Sequence, residues 1–227
     1  LSNDSDVAGK SIDFAVSGAG TGSGEGSHVE GALLGLGMQN QVADFSERVD
    51  QHAISFRPET TLFFIAGGLN DRKLPSEKTI ENLESEIRTL YGLGARQFAV
   101  ALLPTAIPAF ADVGQRLNPE LTLIPGHLAA ELPAAHIRLS HWGLFFDEVM
   151  YNPAAYGIEN TKDACAGRAI FHQDATPCPS PETYFYFHAG HPSTAVHKIV
   201  GEKLYQELMG AAPLQDAAPD SQPGASK

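Results

Sequence analysis

Two short stretches carry the side chains best suited to chemistry. The first is Gly67-Gly68-Leu69-Asn70-Asp71, which follows the apolar run Thr61–Ala66 directly. An asparagine amide just past a strand is well placed to donate a hydrogen bond to a developing oxyanion. The second is His188-Ala189-Gly190-His191-Pro192-Ser193. Pro192 suits the first position of a helix. That would set His191 at the helix's positive end, which favours neutral imidazole, the general-base form. Each stretch also has a plainer reading. Gly-Gly with Asn-Asp makes a turn and a cap, and a histidine can cap a helix without reacting.

The elements that must position these residues are legible in outline. Thr61–Ala66 has no polar alternation, which fits a strand buried on both faces of a parallel α/β sheet. Ligands of such sheets bind past the carboxyl ends of the strands, where Gly68 to Asp71 would lie. Ser11–Val16, Gln97–Leu103 and His136–Ser140 read as further strands. Met38–Asp50 has helical spacing, and Ser76 is placed to cap a helix running to about Gly92, with Ile80, Leu83, Ile87 and Leu90 on one face. Leu121–Leu132 reads as partly helical, Trp142–Met150 as a short helix, and Ser193–Met209 as a helix with Val196, Ile199, Val200, Leu204 and Leu208 inward. Ser17–Ser27 and Asn152–Tyr186 read as irregular. Alternating strands and helices predict a doubly wound sheet. Residues 1–210 form one domain in this reading, and 211–227 read as a disordered tail.

Composition narrows the function. With 15 basic and 27 acidic residues the net charge is −12, which disfavours nucleic acid and anionic membranes as partners. The longest apolar stretch, Phe98–Val113, is broken by Pro104 and Pro108 and carries Asp112, so no integral membrane segment is expected. Cys165 and Cys178 share one polar loop. A disulfide between them is favoured over free thiols and implies an oxidising compartment. Such a bridge contributes about 3 kcal/mol in the chain-entropy account.

Ser17-Gly18-Ala19-Gly20-Thr21-Gly22-Ser23-Gly24 looks like the phosphate-cradling turn of short-chain dehydrogenases. Its glycines make a poor helix start, and no tyrosine has a lysine four residues on. No cofactor is therefore expected. A zinc site from His188, His191 and His197, with His172 or the cysteines, is a further alternative with weak ligand spacing.

Taken in order, Asp13-Phe14-Ala15-Val16-Ser17-Gly18-Ala19, then Gly68-Leu69-Asn70-Asp71, then His191-Pro192-Ser193 resemble blocks II, III and V of the SGNH (GDSL) hydrolase family. Gly94–Val100 with Leu103-Pro104 looks like that family's fourth strand. Asn152–Gly157 with Asp163-Ala164-Cys165 looks like its extracellular lipase and esterase branch. The resemblance covers residues 9 to 209. It implies a flavodoxin-like three-layer α/β/α fold and a secreted or periplasmic serine ester hydrolase acting on a small-molecule or lipid ester. Gly18 and Asn70 match the family's oxyanion-hole positions, and His191 matches its base.

Two positions depart from the pattern. The residue three before His191, an aspartate in the family, is His188, so a main-chain carbonyl, Glu182 or Asp174 would have to orient the base. Gly-Asp-Ser-Leu, which carries the nucleophile, does not occur in the chain. Ser17 is a poor substitute, since it lacks a nucleophile elbow. The resemblance therefore implies that the first strand and the serine lie outside this sequence, with a metal-free, non-catalytic binding module as the alternative.

Overall fold

The computed structural model describes residues 11–210. The expected tail, 211–227, lies outside the described residues. In chain order the elements are β1 (Glu25–Val29), β2 (Ala32–Leu36), α1 (Met38–Asp50), β3 (Leu62–Ile65), α2 (Ser76–Gly92), β4 (Gln97–Ala101), α3 (Ala111–Leu121), α4 (Ile124–Leu128), β5 (His136–Ser140), α5 (Trp142–Tyr151), β6 (Asn160–Ala164), β7 (Tyr184–His188), β8 (His191–Pro192) and α6 (Thr194–Gly210). The fold is mixed α/β. Its centre is the parallel sheet β3-β4-β5, in which Phe63 pairs with Phe98 and Phe98 with Ile137. An antiparallel hairpin, β1-β2, and a small sheet, β6-β7-β8, flank it.

β4 is the strand buried on both faces. Phe98, Ala99, Val100 and Ala101 are each at most 1% exposed. β3, for which that environment was expected, is an edge strand. Leu62, Phe63 and Phe64 are half-buried and Ala66 is exposed, because β3 pairs with β4 alone. The helices α1 to α4 pack on this sheet through one hydrophobic cluster that includes Phe45, Leu83, Ile87, Phe98, Leu117 and Leu121. A second cluster joins α5, α6 and β7 through Phe146, Val149, Phe185, Val196 and Val200.

Ser11–Val16 is not a strand. It keeps the alternation of one, with Ile12, Phe14 and Val16 half-buried between exposed neighbours. No ladder forms, and Asp13 Oδ1 instead accepts from the Ala15 amide at 2.8 Å. Its apolar side is nevertheless well used. Phe14 meets Phe45 edge-on at 5.5 Å, Phe45 meets Phe63 at 5.5 Å, and Phe63 meets Phe98 at 5.9 Å. Such pairs add about 1 kcal/mol each beyond burial.

Other expectations shift at their edges. The loop after Ser17 ends in β1 at Glu25, not after Ser27. Pro75, not Ser76, occupies the cap position of α2. Ser76 is already helical, and its Oγ accepts from Arg116 at 2.9 Å. The stretch 121–132 holds only the five-residue α4, whereas α3 lies before it with Pro119 inside. Asn152–Tyr186 is not wholly irregular, since it contains β6 and the start of β7.

The flank of α2 that faces α1 is polar. Thr79, Asn82 and Glu86 sit at helical spacing on it, and all three are buried. Asn82 is satisfied, donating to Thr21 Oγ1 and accepting from Gln39 Nε2. Glu86 is not. It is 2% exposed, and neither carboxyl oxygen has a partner. It lines a cleft of about 260 Å³ with Gln39, Val42, Ala43, Ser85 and Thr89. Burial, with Asp71 as the lesser cause, pushes its pKa from 4.5 up to about 8. The folded state thus holds this proton more tightly than the unfolded chain does. Its contribution to stability is full below about pH 4.5 and is lost as pH rises towards 8. We predict a loss of about 4 kcal/mol across that window. Glu86→Gln should flatten it. Urea unfolding at pH 5, 7 and 9 measures both, and equal pH slopes in the two proteins would refute the assignment.

Candidate functional site

The loop after β3 is shaped by close packing. Gly68 has φ +112°, and a Cβ there would meet Leu117 Cδ1 at 2.9 Å. The turn closes with the Asp71 amide donating to Gly68 O at 2.9 Å. Asp71 then points inward and is 6% exposed. Its Oδ1 accepts from the Thr21 amide at 3.1 Å, and its Oδ2 accepts from the hydroxyls of Thr21 and of Thr79, the latter at 3.0 Å. Arg116 of α3 donates to the Asp71 carbonyl at 3.0 Å.

With Asp71 inward, its neighbour Asn70 faces outward and is exposed. Asn70 Nδ2 donates to the carbonyl of Ala19 at 2.9 Å. Two residues expected in the site, Asn70 and Gly18, therefore lie at one locus. Gly18 sits at φ +77° in the turn just before Ala19. That turn is braced by the Gly35 amide on Ser17 O (2.8 Å) and by the Met38 amide on Gly20 O (3.0 Å). A side-chain amide has two N–H donors. One of Asn70's is spent on Ala19, which leaves the other for a ligand.

The glycine-rich loop does not cradle a phosphate. It runs into β1 and not into a helix N-terminus, which removes the structural context of the dinucleotide motif.

His191 does not precede a helix directly. It and Pro192 form β8, with His188 and His191 as cross-strand partners. α6 begins at Thr194, and buried Ser193 caps it, its Oγ accepting from the Val196 amide at 3.3 Å. The proposed helix-end environment of His191 is thus occupied by Ser193. The His191 loop meets the loop after β4. A Cβ on Gly190 would lie 3.5 Å from Ala109 Cβ, and Ala109 O accepts from Arg72 Nη2 at 2.9 Å. Through Ala109, the chain around His191 is joined to the chain around Asn70.

His191 stays exposed, yet chain on its flanks strips part of its hydration. That burial, then Arg168, His188 and His197, lowers its pKa below the ordinary histidine value. His188 Nδ1 lies 3.3 Å from Ala166 O, so the main-chain carbonyl expected to orient His191 contacts the other imidazole instead. Asp174 accepts from the Thr176 amide at 2.9 Å, and Glu182 is exposed. Cys165 and Cys178 form a disulfide with their Cα atoms 4.9 Å apart, which withdraws both thiols from any metal. His172 faces Glu30 at 3.7 Å. Among the described residues no three histidines, cysteines or acids are grouped to hold a metal ion.

The sequence offered no signal for one histidine–carboxylate pair. His141, at the end of β5, lies with Nδ1 2.8 Å from Glu207 Oε1 of α6. The two are 66 residues apart, and neither belongs to a recognisable motif.

A profile of the GDSL-like lipase/acylhydrolase family matches residues 2–204. A GDSL esterase/lipase of Arabidopsis thaliana is 23% identical over 242 aligned residues, covering 86% of this chain and 62% of the relative. A second is 25% identical over 154 residues, covering 57% and 42%. The anther-specific proline-rich protein APG of the same plant is 25% identical over 150 residues, covering 57% and 28%. The chain thus spans less than two thirds of the length of each of these relatives. Among the described residues no helix is long and apolar enough to cross a membrane.

The geometry separates anchor from donor. Asp71→Ala would leave the Thr21 amide and two hydroxyls buried without an acceptor and should cost about 3 kcal/mol. Asn70→Ala removes one exposed bond and should cost less than about 1 kcal/mol. The measurement is the urea midpoint at constant slope. A neutral Asp71→Ala would mean that this carboxylate does not hold the loop.

Proposed function

Because the chain belongs to the GDSL-like lipase/acylhydrolase family, we propose that it forms most of an acyl-ester hydrolase site in which Gly18 and Asn70 supply oxyanion donors and His191 supplies the base. The observation that carries this reading is the Asn70 amide hydrogen-bonded to Ala19 O beside Gly18, at the carboxyl end of β3. An ester carbonyl set there would meet the Gly18 amide and the second N–H of Asn70 as its oxygen becomes negative. Preorganised donors of this kind contribute about 3 kcal/mol each to the transition state. His191, biased towards its neutral form by partial burial and by Arg168, would accept the proton of a serine hydroxyl as that oxygen attacks, and later return it to the leaving alcohol.

The 227 residues contain no Gly-Asp-Ser. In this reading the serine comes from a segment ahead of Leu1 in a longer chain. Substrates are small-molecule or lipid esters. A secreted or periplasmic location fits the Cys165–Cys178 bridge. A second reading, a binding module without turnover, is favoured by His188 at the position where the family carries its acid.

The test is the initial rate on p-nitrophenyl butyrate. This chain should be no faster than free imidazole. A version extended by an N-terminal Gly-Asp-Ser segment should gain several orders of magnitude, within the range of enzymatic accelerations. His191→Ala should abolish that gain. An extended chain that stays inactive while folded would favour the binding module. Activity in the short chain that is lost in Ser17→Ala would identify Ser17 as the nucleophile.

A further inference from the structure

The surroundings of His191 are cationic in a chain whose net charge is −12. Arg168, His188 and His197 all act on it electrostatically. Among the described residues no carboxylate is paired with Arg168.

Backbone geometry fixes where Arg168 stands. The amides of Cys165 and Ala166 donate to Tyr186 O and Phe187 O at 3.0 and 2.8 Å, so the root of this loop runs beside β7. Ala166 O faces the His188 ring, and His188 is the cross-strand partner of His191. Arg168 follows two residues later in a tightly closed turn. Its amide donates to Gln173 Oε1 at 2.9 Å, and its carbonyl accepts from the Gln173 amide at 3.2 Å. Gly167 leaves no room for a side chain, since a Cβ there would lie 2.5 Å from Asp174 O. The Cys165–Cys178 bridge closes the loop. The guanidinium rests over the ring of Phe171 at 5.4 Å and has no anion to bind. The far end of the loop reaches the β1-β2 hairpin, where His172 lies 3.7 Å from Glu30. That hairpin is tied to the turn holding Gly18 by the Gly35 amide on Ser17 O. The loop therefore bridges the His191 side of the site and the Gly18 side.

We propose that Arg168, with His188, forms a subsite for an anionic oxygen group on the ligand, so that the site takes esters carrying a carboxylate or a phosphate near the scissile carbonyl. This rests on the reading of Gly18, Asn70 and His191 as an ester site. A base that becomes imidazolium needs a negative neighbour. His188 and Arg168 cannot provide one, but an anion held between them can, and a guanidinium fork suits carboxylate and phosphate alike.

The test is NMR titration of this chain with hexanoate, hexyl phosphate and hexanol, following Asn70, His188 and His191 and the titration midpoint of the His191 ring. The anions should bind about tenfold tighter than hexanol, the scale of one charge-assisted contact. They should also raise the His191 midpoint. Arg168→Gln should erase the preference and leave hexanol binding unchanged, and Arg168→Lys should keep part of it. Tighter binding of hexyl phosphate than of hexanoate assigns phosphate, the reverse order assigns carboxylate, and either supports the subsite. Equal binding of anion and alcohol, insensitive to Arg168→Gln but still shifting Asn70 and His191, would overturn the subsite and leave the ester site standing. No response at these residues to any of the three would overturn both.

Discussion

The carboxylate of Asp71 is the interaction on which the edge of the sheet depends. It is buried, and it accepts from one amide and two hydroxyls that come from two distant segments, the loop before β1 and the first turns of α2. Hydrogen bonds to a charged acceptor contribute about 1.5–3 kcal/mol each. They can do so here because the donors are already in place when the charge is buried. The orientation of Asn70 is a consequence. Adjacent residues in a tight turn face opposite ways, so holding Asp71 inward presents the Asn70 amide outward at Ala19. Gly20 belongs to the same constraint, because a Cβ there would come within 2.8 Å of Asp71 Oδ1. The next loop along the sheet repeats the device. Asp147 of α5 accepts from the amides of Thr105 and Ala106 and from the Thr105 hydroxyl, which fixes the chain after β4.

The same charge has a cost at a distance. Thr79, Asn82 and Glu86 form one polar stripe along α2, and only its first two members share in the Asp71 network. Glu86 receives the unfavourable part, burial together with the field of Asp71, and is held in its neutral form. A leucine at that position would pack without this penalty. The stripe is therefore a place where the fold gives up stability along the seam between α1 and α2.

What could be read from the sequence follows from the range of the interactions involved. α1, β5 and the main helices are set by local periodicity, and they appear where periodicity put them. Asn70 and Gly18 were legible as a pair because short motifs in fixed order identify a family, and the structure does bring their loops together. Ser11–Val16 was misread because alternation reports which side chains are buried, not whether a ladder partner exists. Its apolar residues are packed as expected and its backbone is unpaired. α3 was hidden by Pro104, Pro108 and Pro119, although a proline near a helix end removes little when Asn118 ties the helix to Leu103 through both its amide groups. β6 and β7 were hidden because they pair only with one another and with two residues of β8, a non-local arrangement without periodic signal.

Two histidines illustrate why a hydrogen-bond pattern does not by itself identify a base. His141 has the carboxylate partner that a base would use, Glu207 at 2.8 Å. That carboxylate, however, also accepts from the Ser140 hydroxyl at 2.6 Å and from the His141 amide at 2.8 Å. His141 is the residue that precedes the first turn of α5, so these bonds satisfy the start of that helix and bind the end of β5 to α6. The pair is a structural clamp. His191 has the opposite character. It makes no bond that the fold requires, it is exposed, and its neighbours are cations. A fold gains nothing from setting a guanidinium and three imidazoles in one neighbourhood, since each disfavours protonation of the others. An arrangement that is costly for the empty protein becomes favourable once an anion enters it. For that reason the unpaired histidine, and not the well-bonded one, marks the functional end of this sheet.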